Sequence, residues 1–413
     1  MNDLTLTIKG LFGHFDYEIP LYGLGELNGL TMSDGVTILT GPNGYGKSTI
    51  LRTLEAISKG DFKFFRKLKF QEISLRQDVG KNNIFISRKG GDLLINGENL
   101  PTLPAGNSAL PQAKAARQYS NQVKRLRKYG ARILPNTFMI SEQRLLEIQD
   151  IPLTYDGKPV EVSGVPVMTQ KVSPTVARLS SKLQSHFSAA SDTYSEVDKE
   201  LSGTFPFRVM NQRSADNLTK EEFDRYYQDM SAKLHALWEN GLSNFAQQDI
   251  PAFQAKKSVG LRVFFDDFNK KYKSYEPLIK RLNLFREILN RRFKNFKRVE
   301  ISRDGLRVFD IPSNKNGKEV EISLDKLSSG EQETLVLYYQ LIFETAPGTM
   351  LLIDEPEISL HIAWQRTFID ELKEIVRLNQ LRAVVATHSV SILNGNWDIE
   401  VSLGELYKNG REK

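Results

Sequence analysis

Residues 41–49, GPNGYGKST, combine closely spaced glycines with a lysine and two hydroxyl side chains. They match the pattern G-x-x-x-x-G-K-[ST], in which the glycines let backbone N–H groups wrap around phosphates. The lysine of this pattern neutralises β- and γ-phosphates, and the following hydroxyl binds Mg²⁺. We therefore predict a site for ATP and Mg²⁺ formed by Gly41, Pro42, Asn43, Gly44, Tyr45, Gly46, Lys47, Ser48 and Thr49.

Two adjacent carboxylates, Asp354 and Glu355, directly follow the apolar run Met350 to Ile353. Such a run predicts a buried strand of a parallel sheet, and ligands bind at the carboxyl ends of these strands. We expect Asp354 to hold Mg²⁺ and Glu355 to orient, or take a proton from, the water that attacks the γ-phosphate. A solvated acidic turn is the alternative interpretation of this segment on its own.

Two further segments carry candidate phosphate contacts. LSSGEQ, residues 327–332, precedes a predicted helix starting near Glu333, so Ser328, Ser329, Gly330 and Glu331 could approach a phosphate at the helix N-terminus. Taken alone, this segment is also typical of a serine–glycine helix cap. His388 follows the predicted strand Ala383 to Ala386, although an isolated histidine is more often structural.

The order of these segments resembles that of ABC-type ATPases. The resemblance makes 327–332 the signature motif, residues 356–361 the D-loop, and His388 the switch histidine that contacts the γ-phosphate. It also implies a glutamine that senses Mg²⁺ and the attacking water. We assign that glutamine to Gln143, which follows an apolar strand, with Gln149 as the competing candidate.

The segment DEPEISLHIAWQ, together with LSSGEQ, most resembles the soluble branch related to SMC proteins and overcoming-lysogenization-defect nucleases. Within that branch it is similar to stand-alone ATPases of bacterial antiviral systems such as Septu, PARIS and some retron systems. The resemblance implies a dimer or higher oligomer, with two ATP molecules held head to tail between subunits. Ser329 and Gly330 of one subunit would then contact the γ-phosphate held by the other.

The predicted fold is α/β: an ABC-type ATPase head, with a mostly parallel sheet and an antiparallel β subdomain, plus an inserted α-helical domain. Residues 1–150 form the N-terminal half of the head, 151–170 a linker, 171–298 the helical insertion and 299–413 the C-terminal half. A hairpin is expected from residue 4 to 20, a helix from 48 to 58, and an antiparallel sheet from about 64 to 98.

In the helical region, Thr219 and Glu222 predict a capping box that starts a helix ending at Asn240-Gly241. A second helix is expected from about Leu278 to Phe293. The prolines of this region predict interrupted helices and a compact insertion rather than a long coiled-coil arm. They are Pro174, Pro206, Pro251 and Pro277.

Composition limits the function classes. The chain has no cysteine, which excludes disulfides and thiolate chemistry, and it shows no export signal or apolar membrane span, so we expect a cytoplasmic protein without membrane contact. The net charge of +6 is a mild basic excess. Basic residues cluster at 63–69, 124–128 and 291–298.

Two functions remain open. The first is a regulatory ATPase of an antiviral complex that controls a separately encoded effector, a nuclease or toxin, after a phage-encoded trigger. The second is a DNA-binding ATPase of repair or chromosome maintenance. A transporter ATPase is disfavoured because the signature follows the glycine loop at far too great a distance, and a small-molecule phosphotransferase would leave LSSGEQ without a role. With no nuclease pattern in the chain, we expect any cleavage of nucleic acid to come from the partner.

Overall fold

The computed structural model of this chain forms two compact units. They are Met1–Arg144 with Gln340–Lys413, called the first unit, and Leu145–Tyr339, called the second unit. This division reflects how the chain packs, and it places residues 299–339 in the same unit as the helical region. The division predicted from the order of the motifs instead places these residues in the C-terminal half of the ATPase head. The structure describes residues 4–22, 24–27, 30–77, 83–90, 92–99, 124, 133–134, 136–140, 146–152, 154–155, 158–159, 161–162, 165–166, 168–211, 218–244, 253, 260–293, 296–311 and 319–411.

Strands and helices are numbered here along the chain. The strands are β1 Leu4–Leu11, β2 Phe15–Leu21, β3 Leu24–Leu27, β4 Leu30–Asp34, β5 Val36–Thr40, β6 Glu72–Gln77, β7 Asn83–Lys89, β8 Asp92–Ile95, β9 Glu98–Asn99, β10 Thr137–Ile140, β11 Leu146–Pro152, β12 Thr154–Tyr155, β13 Lys158–Pro159, β14 Glu161–Val162, β15 Val165–Pro166, β16 Met168–Pro174, β17 Lys297–Ser302, β18 Gly305–Asp310, β19 Val320–Ile322, β20 Met350–Asp354, β21 Arg382–Ala386 and β22 Glu400–Ser402. The α-helices are α1 Lys47–Lys59, α2 Phe62–Lys67, α3 Leu179–Met210, α4 Lys220–Glu239, α5 Leu261–Phe293, α6 Ser329–Phe343, α7 Ile362–Asn379, α8 Val390–Leu393 and α9 Leu403–Arg411.

An antiparallel sheet of the first unit has the strand order β2-β1-β6-β7-β8-β9. The hairpin predicted from residue 4 to 20 is confirmed, with Leu6 opposite Ile19 on the buried face. The prediction that strand structure begins near residue 64 is wrong, because Phe62–Lys67 is helix α2. Phe62 and Phe65 are buried at helical spacing, and the Arg88 guanidinium donates to the carbonyls of Phe65, Arg66 and Leu68 at the end of that helix.

A parallel sheet of the first unit has the order β10-β20-β21-β5-β22. Strands β20 and β21 are buried along their whole length, as expected for parallel strands covered on both faces. Pairing aligns Asp354 with Ala386 and Ala386 with Leu39. The carboxyl ends of β20, β21 and β5 are therefore adjacent.

Helix α1 joins the glycine loop to the core. Gly46 and Gly60, both left-handed, flank it, close to the predicted limits of 48 and 58. Its face of Ile50, Leu51, Leu54 and Ile57 is fully buried in a cluster that also includes residues of both sheets. Burial of each such side chain contributes about 1.5–3 kcal/mol, so the loop is attached to a firmly packed element.

Helices α3 and α5 of the second unit run antiparallel. Arg208 forms a bidentate ion pair with Asp267, and Lys271 pairs with Asp198 at 2.6 Å further along both helices. The prediction that the prolines interrupt these helices is wrong for Pro206 and Pro277, which lie inside them. A proline costs a helix about 3 kcal/mol, and the long interface between α3 and α5 supplies packing that offsets this cost.

The remainder of the second unit is partly as predicted. The capping box is confirmed, since the backbone N–H of Glu222 donates to Thr219 Oγ1 and the Thr219 N–H donates to the Glu222 carboxylate. Strands β17, β18 and β19 form an antiparallel sheet. Strands β11 and β16 pair antiparallel, and the intervening residues, which we interpret from sequence as linker or loop, contain two further short strand pairs.

Among the helices that the structure describes, none is long and apolar enough to cross a membrane.

Candidate functional site

Three loops of the first unit meet at one edge of the parallel sheet. The glycine loop follows β5, Asp354 and Glu355 lie at the end of β20, and His388 follows β21. Because β21 lies between β5 and β20 and all three are parallel, their loops emerge side by side. The sheet thus brings together the predicted phosphate, metal and water-activating residues at the edge where such folds bind ligands.

The glycine loop has a backbone that only glycine adopts without strain. Gly41, Gly44 and Gly46 have φ values of 144°, 84° and 89°. A Cβ on Gly46 would also lie 2.9 Å from Leu11 Cδ2. The loop leads directly into the N-terminus of α1, where free N–H groups and the helix dipole favour anions.

A cleft of about 210 Å³ lies over this loop. Its lining is Phe12, Asn43, Gly44, Gly46, Lys47, Ser48, Thr49, Glu355 and His388. The ring of Tyr45 instead packs against Phe15, with ring centroids 5.1 Å apart. Tyr45 therefore supports the loop, while Asn43 and Thr49 line the cleft, and nucleotide binding by these residues stays a prediction.

Lys47 is buried at the centre of the site. Its Nζ donates to the carbonyl oxygens of Gly41 at 2.8 Å and Pro42 at 3.4 Å. The same nitrogen lies 2.6 Å from Nε2 of His388, so both side chains can reach one phosphate. Burial lowers the pKa of Lys47, while the carboxylates of Glu355, Asp354 and Glu357 oppose that shift.

Ser48 and Asp354 supply two oxygens at one point. Ser48 Oγ donates to Asp354 Oδ1 at 3.1 Å, although the two residues lie in distant parts of the chain. Hydroxyl and carboxylate oxygens are ligands that suit Mg²⁺, which is usually held by one or two protein groups together with phosphates and water. The pair fits the predicted metal position.

Glu355 occupies a strained backbone conformation. Its φ and ψ are 44° and 60°, the left-handed region that non-glycine residues rarely adopt, and its N–H donates to the Ala386 carbonyl at 2.9 Å. This conformation brings Oε1 of Glu355 to 3.5 Å from Nε2 of His388. Backbone strain of this kind is found at active sites, where the surrounding structure enforces it.

Three residues to which the sequence analysis gave no individual role also shape the site. Glu357 accepts hydrogen bonds from Thr387 Oγ1 and from the His388 backbone N–H, both at 2.7 Å. Phe12, in a left-handed turn between β1 and β2, lines the cleft. The Tyr17 hydroxyl donates to the Tyr45 carbonyl at 3.0 Å, and burial raises the pKa of Tyr17. The sequence marked Glu357 alone among these three, because it lies in the predicted D-loop. Phe12 and Tyr17 reach the site through tertiary contacts that the sequence does not show.

The predicted glutamine is not placed. Gln143 lies outside the described residues, and Gln149 lies in β11 with a side chain that the structure does not describe. Strand β10 ends at Ile140 and pairs parallel with β20. The role of Gln143 therefore stays a prediction.

The signature segment, residues 327–332, lies in the second unit. Ser328 and Ser329 are exposed, and nothing lies within 4 Å of where a Cβ of Gly330 would be. Glu331 Oε2 accepts from the Ser328 backbone N–H at 2.9 Å, and Glu331 Oε1 pairs with Lys297 at 2.5 Å. Burial acts to raise the pKa of Glu331, but the hydrogen bonds from Lys297 and Ser328 lower it below its usual value. The helix N-terminus is thus preformed and open for contact.

The part of the chain that the structure describes contains no other candidate metal centre. Across the described part of the chain, no group of three or more histidine or acidic residues could hold a metal ion.

Comparison with known proteins identifies one family. The model of the AAA ATPase domain family AAA_15 matches residues 26–393. Three solved structures are similar: an Smc head bound to the C-winged helix domain of ScpA (13% identity, TM-score 0.38, 96% of this chain and 92% of that chain), an Smc head with an extended coiled coil bound to the ScpA C-terminal domain from Pyrococcus furiosus (15%, 0.36, 94% and 90%), and the SMC head domain from Thermotoga maritima (13%, 0.36, 95% and 91%). No curated protein sequence matches the chain.

Replacement of Lys47 tests the phosphate cradle. We expect Lys47→Ala to weaken ATP affinity at least about tenfold, because it removes the buried cation that is predicted to neutralise the β- and γ-phosphates. Isothermal titration calorimetry with ATP and Mg²⁺ measures the change. Lys59→Ala, at the other end of α1, removes an exposed lysine that pairs with Glu55 and serves as the control. Unchanged affinity in Lys47→Ala would contradict the cradle.

Proposed function

Because the chain belongs to the AAA ATPase domain family, we propose that it binds ATP with Mg²⁺ in the cleft of the first unit and hydrolyses it to ADP and phosphate. The observation that carries this proposal is the convergence of five side chains from three separate loops. Lys47 contacts His388, His388 lies beside Glu355, and Ser48 donates to Asp354. A lone glycine loop would support nucleotide binding alone; the adjacent carboxylate and histidine support hydrolysis.

We propose one task for each residue of the site. Backbone N–H groups of the glycine loop and the Lys47 ammonium bind the β- and γ-phosphates. Ser48 and Asp354 would hold Mg²⁺, which supplies charge neutralisation on the same phosphates. Glu355 orients the attacking water and accepts its proton while the water oxygen bonds to the γ-phosphorus and the bond to the bridging oxygen breaks. His388, whose Nε2 lies 2.6 Å from Lys47 Nζ, contacts the same γ-phosphate beside Lys47.

We further propose that two subunits share each ATP. In the ABC-type arrangement that the motifs resemble, Ser329 and Gly330 of one subunit contact the γ-phosphate bound by Lys47 of the other. The exposed Ser328 and Ser329 and the open space around Gly330 support such a contact. ATP binding then joins two heads and hydrolysis releases them, a nucleotide-driven switch between two assembled states.

As the output of this switch, we propose control of a separately encoded effector, a nuclease or toxin, in a bacterial antiviral complex. The support is the resemblance of DEPEISLHIAWQ and LSSGEQ to the ATPases of such systems. The antiparallel pair of α3 and α5 offers a long surface in the second unit to hold that partner, with Phe207 and Met210 strongly exposed near the end of α3. The trigger would act by changing the nucleotide state.

A DNA-binding ATPase of repair or chromosome maintenance is the second candidate. The observation that favours it is the basic group of the first unit, in which Lys63, Lys67 and Lys69 are exposed. Arg298, from the basic run at 291–298, is instead held by Glu300 and Glu319, so this residue is already neutralised. The two candidates differ in whether duplex DNA changes the ATPase rate.

Glu355→Gln tests the proposed reaction. We expect ATP affinity to stay within about threefold of the wild type, because the amide keeps the shape of the side chain, while turnover falls at least about 100-fold because the proton acceptor is lost. Phosphate release and calorimetry measure the two quantities. Glu18→Gln, an exposed position on β2, is the matched control. Phosphate release at the wild-type rate would remove Glu355 as the base.

Mixed subunits test the shared sites. Lys47→Ala and Ser329→Arg should each be inactive, yet a mixed dimer of the two keeps one intact composite site. An equal mixture should therefore recover about one quarter of wild-type turnover, since half of the dimers are mixed and one of their two sites works. Native mass spectrometry verifies that mixed dimers form. An inactive mixture that contains them would argue against shared sites.

The response to DNA separates the two candidate outputs. If DNA is the partner, duplex DNA should stimulate hydrolysis and its affinity should fall steeply with salt. Replacement of Lys63, Lys67 and Lys69 by glutamate should then lower the slope of log affinity against log salt by about 0.9 for each DNA phosphate that the protein no longer neutralises. DNA-independent hydrolysis, together with copurification of the product of a neighbouring gene, would favour the effector-controlling function.

A further inference from the structure

We propose that Glu357 is a positioning residue of the ATPase reaction: its carboxylate holds the backbone of residues 387–389 so that the His388 ring lies against Lys47 and Glu355. The inference rests on the proposed function, since it assigns the residue that orients the switch histidine. Glu357 lies in the turn directly after the catalytic carboxylate, and the histidine follows a different strand. One side chain therefore ties together two of the three loops of the site.

The contact pattern is specific. Glu357 Oε1 accepts from Thr387 Oγ1 and from the His388 N–H, each at 2.7 Å. Thr387 Oγ1 in turn accepts from the Ser389 N–H at 3.0 Å. A single carboxylate oxygen thus binds two consecutive residues directly, and the Thr387 hydroxyl extends the network to Ser389.

A second brace reaches the same loop. The Ser389 hydroxyl donates to Gln365 Oε1 at 2.7 Å, and Gln365 Nε2 donates to the Leu360 carbonyl at 3.1 Å. Both braces start from the segment that follows Glu355. The backbone N–H of Glu355 also donates to Ala386, immediately before the loop. The position of the histidine is consequently set by the turn that carries the proposed base.

The second oxygen of Glu357 lies outside this network. Oε2 is buried and accepts no hydrogen bond from the described residues. A buried polar atom without a partner costs about 1–3 kcal/mol, and more when it is charged.

Two substitutions separate the acceptor from the charge. Glu357→Gln keeps a carbonyl oxygen that can accept both bonds, whereas Glu357→Ala removes the acceptor. Both are measured on the full chain by steady-state phosphate release and by calorimetry with ATP and Mg²⁺. Glu18→Ala, an exposed glutamate of the same unit, is the control and should behave as the wild type.

We expect Glu357→Ala to lower kcat about 10- to 100-fold, the range for loss of one or two hydrogen bonds to a charged group, with ATP affinity within about threefold of the wild type. Glu357→Gln should recover kcat to within about threefold. Equal losses in the Gln and Ala variants, a parallel loss of ATP affinity, or an unchanged kcat in the Ala variant would each overturn the proposal.

A spectroscopic measurement keeps the test independent of turnover. The chain has five histidines, so ¹³C-labelled histidine rings give few NMR signals, and His388→Asn identifies the signal of interest. In Glu357→Ala, the His388 signal should shift or broaden while the other four stay in place. An unmoved His388 signal overturns the positioning role. A wild-type chain that hydrolyses no ATP, with a His388 signal that still depends on Glu357, would instead refute the proposed function and leave the contact intact.

Discussion

The parallel pairing of β21 with β5 on one side and β20 on the other is the constraint on which the site depends. The glycine loop and the carboxylates are separated by roughly three-quarters of the chain, and backbone hydrogen bonds between three buried strands place them side by side. Each strand delivers its loop at the same sheet edge. A slip of one residue in either pairing would move Asp354 or His388 away from the glycine loop and turn alternate side chains to the other face.

Charge balance is the second constraint. Lys47 is almost fully buried, which on its own favours the neutral amine, and three carboxylates counter that tendency. The attraction between the Lys47 ammonium and these carboxylates offsets the cost of burying the charge. Hydrogen bonds also hold the charged side chains in place: Lys47 donates to the Gly41 carbonyl, and Asp354 accepts from the Ser48 hydroxyl.

The motif residues were predictable because their spacing reflects local physics. The glycines need left-handed backbone, the apolar runs before Asp354 and His388 form buried strands, and Thr219 with Glu222 forms its own cap. Features set by distant contacts were not predictable. Pro206 and Pro277 predict helix breaks, yet packing between α3 and α5 keeps both helices continuous. Glu357 and Phe12 likewise gain their roles only when separate loops come together.

The left-handed conformation of Glu355 has a consequence for protein engineering. Glycine would relieve a backbone strain of about 1–3 kcal/mol at this position. A screen that ranks substitutions by folding free energy would therefore favour Glu355→Gly, which removes the carboxylate that we propose as the acceptor of the water's proton. Under that proposal, a gain in thermostability at this one residue comes with a loss of turnover.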